Sequence, residues 1–154
     1  MMLLDLDGVL NPFGASTCPE GYVEHEFFPG EGLERYCPAH GEWIRELAAA
    51  GDLYWASAWG EDANTLLAPL LGIDSLPVIP FPPVPFPPER KVPVIAEAVG
   101  DRPVAWIDDN HTDAGRRWAA ERAAPTLLVP VDAATGWNRD DVDKVLAWSR
   151  QLGA

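Results

Sequence analysis

Apolar residues in this chain gather into short runs separated by longer stretches of mixed polarity. The runs Met2–Leu6, Leu53–Ser57, Pro103–Ile107 and Thr126–Val129, with a shorter one near Val78–Ile79, are continuous rather than alternating. That pattern predicts strands buried on both faces of a parallel sheet. Between them lie stretches with helical periodicity and stop signals: Glu42–Ala50 before Gly51, Glu61–Leu71 before Gly72, Lys91–Val99 before Gly100, Asp113–Ala124 before Pro125, and Asp140–Leu152. Glycine after the last turn and proline beyond it are common helix terminators. Thr112 or Asp113 supplies an N-cap for the fourth helix, and Pro93 is tolerated in the first turn of the third. Strands alternating with helices predict an α/β fold, a single doubly wound parallel sheet with helices on both faces.

Two segments interrupt the alternation. Residues 11–41 are rich in Gly, Pro and aromatics, and within them Tyr22–Phe28 alternates as an exposed hairpin strand does. Residues 76–90 form a proline-rich connector, extended or polyproline II over Leu76–Pro88. There is no internal repeat and no linker, so residues 1–154 read as one domain.

Composition changes this picture little: 47% hydrophobic and 23% charged residues are ordinary for a globular protein. The N-terminus lacks a basic region before its apolar run, and two aspartates interrupt that run, so a cytoplasmic location is expected. No run is long enough for a membrane span, and two cysteines in such a compartment are expected as free thiols. Charge matters more. A net charge of −13 repels nucleic acid and anionic membranes, and an anionic substrate then needs a local cation. Lys91 and Lys144 are the two lysines among eleven basic residues.

The chemistry sits at the predicted strand ends. Leu3-Leu4-Asp5-Leu6-Asp7-Gly8-Val9-Leu10 places Asp5 and Asp7 on one side of the first strand's end, because strand side chains alternate with a period of two. Two like charges there are costly unless a cation lies between them. The second strand ends in Ser57, followed by Ala58 and Trp59; a later one ends in Asp108-Asp109-Asn110, and Lys91 opens the helix before it. In a parallel sheet these strand ends converge on the edge where ligands bind. Each feature also has a plainer reading: an Asp-Gly turn, a small strand-end residue, acids preceding a helix, a solvated lysine. A lysine opening a helix opposes the helix dipole, which favours a role for Lys91.

Taken together and in this order, Asp5-x-Asp7-Gly8-Val9-Leu10, Ser57, Lys91 and Asp108-Asp109 resemble the four motifs of the haloacid dehalogenase-like superfamily of phosphohydrolases, over about residues 2–130. The resemblance implies a Rossmann-like core and Mg²⁺-dependent phosphomonoester hydrolysis through an aspartyl-phosphate. Asp5 would be the nucleophile, and Asp7 the general acid/base, initially protonated through carboxylate crowding. Lys91 would balance charge on Asp5 and phosphate and pair with Asp108. Gly8, Ser57, Ala58 and Trp59 would lie against the substrate, with Ser57 and nearby N–H groups on phosphate and Trp59 stacking. Mg²⁺ would be held by Asp5, Asp7 (through its carbonyl) and the Asp108/Asp109 pair, Asp109 being favoured for direct contact. Dehalogenation, the reaction in the superfamily's name, needs neither the metal nor a second acid.

Neither gap between motifs has room for a cap domain of roughly 50 residues or more. The small capless type is therefore expected, with an open site that accepts a bulky phosphorylated substrate. Asp7-Gly8-Val9-Leu10-Asn11-Pro12 and Trp55-Ala56-Ser57-Ala58-Trp59 are also similar to small capless domains associated with RNA repair, a reading the net charge opposes. Rival readings are a catalytically idle phospho-ligand binding module, a phosphotransferase, a nucleic-acid end-processing phosphatase and a pure interaction protein. Pro85-Phe86-Pro87-Pro88-Glu89-Arg90 fits a ligand for SH3-type grooves, but a stiff connector that positions Lys91 is the better reading. Cys18, His25, Cys37 and His40 have spacing to be weighed as a zinc set, against two buried thiols and two surface imidazoles. His111 is placed either in the pocket or on a surface loop. Trp106 is expected in a strand, and Trp43, Trp118 and Trp148 on inner helix faces.

Overall fold

A computed structural model describes residues 1–153. Its centre is a four-stranded parallel sheet of β1 (Met2–Leu4), β4 (Leu53–Trp55), β5 (Val104–Asp108) and β6 (Thr126–Pro130), in the order β4-β1-β5-β6. An antiparallel hairpin of β2 (Val23–His25) and β3 (Glu34–Tyr36) stands apart from it, in the segment expected to hold one exposed strand. Helices α1 (His40–Ala50), α3 (Lys91–Val99), α4 (Thr112–Glu121) and α5 (Arg139–Leu152) complete the alternation. No helix among the described residues is long and apolar enough to cross a membrane.

Strand alternation divides the core in two. Met2, Leu4 and Leu6 point to one face with Ala105, Ile107 and Val129, and are covered by Ile44 and Leu47 of α1 and Val142 and Val145 of α5. Leu3, Ala56, Val104 and Trp106 point to the other, against Ile95 and Val99 of α3 and Trp118 of α4. The sheet is thus flanked by helices on both faces, a Rossmann-like arrangement. Trp43 and Trp148 pack on the first layer as expected.

The chain leaves β1 for β4 on one side and reaches β5 on the other, so a crevice opens at the carboxyl ends of β1 and β5. Register decides what meets there. Leu4 pairs with both Trp55 and Ile107, so the next positions, Asp5, Ala56 and Asp108, lie level on three adjacent strands. Asp5 follows Leu3 and Asp108 follows Trp106 by two residues. Both therefore face the side that α3 covers.

Three elements differ from expectation. The run near Val78–Ile79 adds one bridge beside Trp55, with Trp55 N–H donating to the Pro77 carbonyl and Ile79 N–H to the Trp55 carbonyl, both at 2.9 Å. The helix expected over Glu61–Leu71 is a π-helical turn, Ala63–Leu67, followed by a single α turn, α2 (Ala68–Leu71). Pro69 has no N–H to continue a regular ladder, and the wider turn absorbs the break. The α4 helix starts at Thr112, whose hydroxyl accepts the Gly115 N–H at 3.1 Å while its backbone takes φ 58°, a strained value for a β-branched residue.

His40 is a buried polar residue at the start of α1. Its ring packs against Trp43 (centroids 4.7 Å), Tyr22 (5.5 Å) and Trp137 (5.5 Å), and among the described residues its Nδ1 has no hydrogen-bond partner. Burial lowers its pKa from the ordinary 6.5 to about 4. The fold holds it neutral, whereas the unfolded chain takes up a proton as pH falls through 6.5. Stability present above that pH is therefore lost on the way down. The expected loss from this group is about 2 kcal/mol between pH 7 and 5. Urea unfolding of wild type and His40→Phe at both pH values checks it: the gap between the two proteins changes by that amount in favour of the variant at pH 5.

Candidate active site

The crevice is a cavity of about 440 Å³. Its floor is formed by Asp5, Asp7, Ser57, Lys91, Asp108 and Asp109, with Ala58 and Asn110 beside them; its outer wall is Phe13, Val84, Pro85, Phe86 and Pro88. The first of these groups comes from three strand ends and the start of one helix.

Lys91 Nζ stands 3.1 Å from Asp5 Oδ2 and 2.8 Å from Asp108 Oδ2, with side-chain exposures of 12%, 6% and 2% respectively. It also donates to the Ala56 carbonyl at 3.4 Å. A buried ammonium between two buried carboxylates offsets part of their mutual repulsion. Burial alone would lower the Lys91 pKa, but Asp5 and Asp108 outweigh it and hold the ammonium above its ordinary value.

The carboxylates remain crowded even so. Asp5, Asp108 and Asp109 each place an oxygen within 4.8 Å of the others. Burial and then the charge of Asp108 raise Asp5 well above the usual carboxylate range, despite Lys91 and an N–H from Leu6 at 2.7 Å. Burial and then Asp108 raise Asp109 to about 6. Asp108 already accepts from Lys91, from Trp106 Nε1 at 3.2 Å and from Asn110 N–H at 2.9 Å. Three hard oxygen donors strained by like charge suit a metal ion, which would favour all three ionised forms at once.

Gly8 supports this arrangement differently from the substrate contact expected of it. It adopts φ 80°, and a Cβ there would lie 2.3 Å from Asp109 Cγ. The missing side chain makes room for the Asp109 carboxylate. Gly8→Ala is therefore expected to displace Asp109 and to weaken any divalent-cation binding by the three aspartates on the order of 10–100-fold. Calorimetric titration of both proteins with Mg²⁺ checks this.

Asp7 lines the cavity, but its carboxylate lies outside the group of three, so its side chain is not among the oxygens gathered for a metal. One oxygen accepts Asn11 Nδ2 and the other Trp59 Nε1, both at 3.1 Å. Trp59 is thus corrected: it is 9% exposed, packs edge-on against Phe27 and Phe28, and holds Asp7 from behind instead of offering a face to a substrate. The hairpin segment needs an apolar floor, and the indole supplies it. Ser57 faces the cavity, and its hydroxyl accepts the Trp59 N–H at 3.1 Å; Ala58 lies beside it.

Sequence reasoning missed Asn11 and Glu34. Asn11 is 1% exposed, donates to Asp7 and Glu34, and accepts the Arg35 N–H at 3.1 Å. It fastens Asp7 to β3. The available signal was a polar residue one turn beyond the aspartates, immediately before Pro12. His111 is in neither expected place: it is buried behind β5, with Nε2 3.0 Å from the Trp106 carbonyl and its ring edge-on to Trp106. Burial lowers its pKa. The zinc set is not assembled among the described residues. His25 lies on the exposed hairpin against Phe27 and Tyr36, His40 is enclosed by aromatics, and Cys18 and Cys37 are free thiols.

Residues 84–88 do more than connect. Phe86 stacks on Phe81 at 6.0 Å, and Lys91 Nζ lies 5.6 Å from the centre of the Phe81 ring. The proline segment therefore both delivers Lys91 and builds the cavity wall. Comparison of the chain with protein-family models, curated proteins and solved structures gives no match.

Proposed function

We propose that this protein is a Mg²⁺-dependent phosphomonoesterase of the capless haloacid dehalogenase-like type, working through an aspartyl-phosphate on Asp5. The observation that carries this reading is the gathering of Asp5, Asp108 and Asp109, with Lys91 paired to Asp5 and Asp108 and Asp7 two residues beyond Asp5, at the floor of an open cavity. Asp5, Asp108 and Asp109 would hold the metal, which supplies charge neutralisation for the carboxylates and the phosphoryl group.

Two displacements follow. An Asp5 oxygen attacks phosphorus, the bond to the leaving oxygen breaks, and Asp7 gives that oxygen a proton. Asp7 then accepts a proton from water as the water oxygen attacks phosphorus and the bond to Asp5 breaks. Inorganic phosphate and the free Asp5 carboxylate result. Asn11 and Trp59 fix the direction of the Asp7 carboxyl, and Lys91 keeps a positive charge beside Asp5 throughout. The hydroxyl of Ser57 and neighbouring N–H groups would steady phosphate oxygens.

Phosphate release across sugar phosphates, nucleotides, phosphopeptides and RNA ends tests the reading. Turnover is expected with Mg²⁺ and its abolition with EDTA. Binding of phosphoryl compounds with no release of phosphate would instead mark an idle binding module, and transfer to added alcohols a phosphotransferase.

A further inference from the structure

The cavity is chemically two-sided. Its floor holds four carboxylates, and Lys91 is its sole cationic side chain among the described residues. That lysine is already engaged by Asp5 and Asp108. Nothing in the lining offers a charge to a second phosphate, and the net charge of −13 opposes a polyanion at longer range. The outer wall is apolar and offers a substrate no polar side chain. Phe13 is 57% exposed and Val84 65%, high values for large apolar residues, and both line this cavity. Phe86, stacked on Phe81, continues this wall inward toward Lys91.

The wall is also preorganised. Pro85, Pro87 and Pro88 restrict the backbone on one side. On the other, Arg35 donates to the carbonyls of Pro12 and Ala15, both at 2.9 Å, and pins the loop that carries Phe13. A rigid apolar wall lowers the ordering cost of seating a flat ring.

From this we infer that the site takes a phosphomonoester with a single phosphoryl group on an uncharged aromatic body, the ring lying between Phe13 and the Val84–Phe86 wall. The inference rests on the phosphomonoesterase reading and narrows its substrate class. It sets aside nucleoside polyphosphates, bisphosphates and nucleic-acid ends, whose further charges would meet carboxylates and apolar surface.

Binding of phosphonates separates this from the reaction itself, because no turnover is required. Calorimetry in Mg²⁺ compares 2-phenylethylphosphonate with ethylphosphonate, which share a head group and differ in the ring. Burying a phenyl ring is expected to tighten binding roughly 30-fold. Phe13→Ala and Phe86→Ala are expected to shrink that ratio, each several-fold. Equal affinities, no detectable binding of either, or tighter binding of a 3′-phosphorylated RNA end overturns the inference. Hydrolysis of the matching phosphates, 2-phenylethyl and ethyl, is followed in parallel. Their leaving alcohols are similar, so a rate ratio reports the ring rather than leaving-group reactivity. Selective binding without hydrolysis overturns the phosphomonoesterase reading on which the substrate assignment rests, whereas hydrolysis of both at equal kcat/KM overturns the aromatic assignment alone.

Discussion

Replacing Asp5 with Asn is expected to lower phosphate release by at least about 10⁴-fold while changing stability by no more than about 1 kcal/mol. The two effects separate because Asn keeps the shape and an acceptor oxygen for the Leu6 N–H, but cannot form the acyl-phosphate. Stability is spared for a second reason. Asp5 sits in a crowd that already disfavours its charged form, through burial first and Asp108 second. Removing its charge relieves that crowding, and Lys91 keeps Asp108 as a partner. Phosphate release and urea unfolding of the same preparations check both halves. An Asp5→Asn protein that still turns over would exclude a covalent role for this residue.

Replacing Lys91 with Met is expected to destabilise the metal-free protein by about 3–5 kcal/mol, the cost of leaving buried charges without their partner. Lys91 faces two carboxylates that expose little side-chain surface, so solvent compensates poorly for the lost ammonium. The loss has a definite pH dependence. Asp5 is already raised above the usual carboxylate range by burial and then by Asp108, and losing the ammonium that opposes this makes it bind a proton still more readily in the folded state than in the unfolded one. Folding of the variant is therefore favoured as pH falls, and the deficit is largest near pH 8 and smaller near pH 5. Adding Asp108→Asn to Lys91→Met recovers part of the deficit by deleting one of the unpaired charges. Urea unfolding in EDTA at both pH values, on the single and double variants, measures it. A deficit under about 1 kcal/mol would mean that the carboxylates are not charged in the fold.

The positions of Asp5, Ser57, Lys91, Asp108 and Asp109 could be anticipated because each lies at the end or start of a strongly patterned element. Once the strands are parallel, such ends share one edge. Trp59 was misplaced because an aromatic beside a site can face inward or outward, and its choice depended on the hairpin segment that Phe27 and Phe28 bring over it. Asn11 and Glu34 are separated by 23 residues and meet through the irregular 11–41 segment, where no periodicity reports which side chains face each other.

The amino-acid pattern alone determined the α/β alternation, the buried parallel strands and the polar residues that end them. Those properties follow from local periodicity and from the cost of burying backbone and charge. Tertiary structure alone decided the strand order and register that set Asp5 level with Asp108, the support of Asp7 by Asn11 and Trp59, the fit of Asp109 against Gly8, and the apolar wall that shares a cavity with the acids. These depend on contacts between segments far apart in the chain, whose geometry is set by packing.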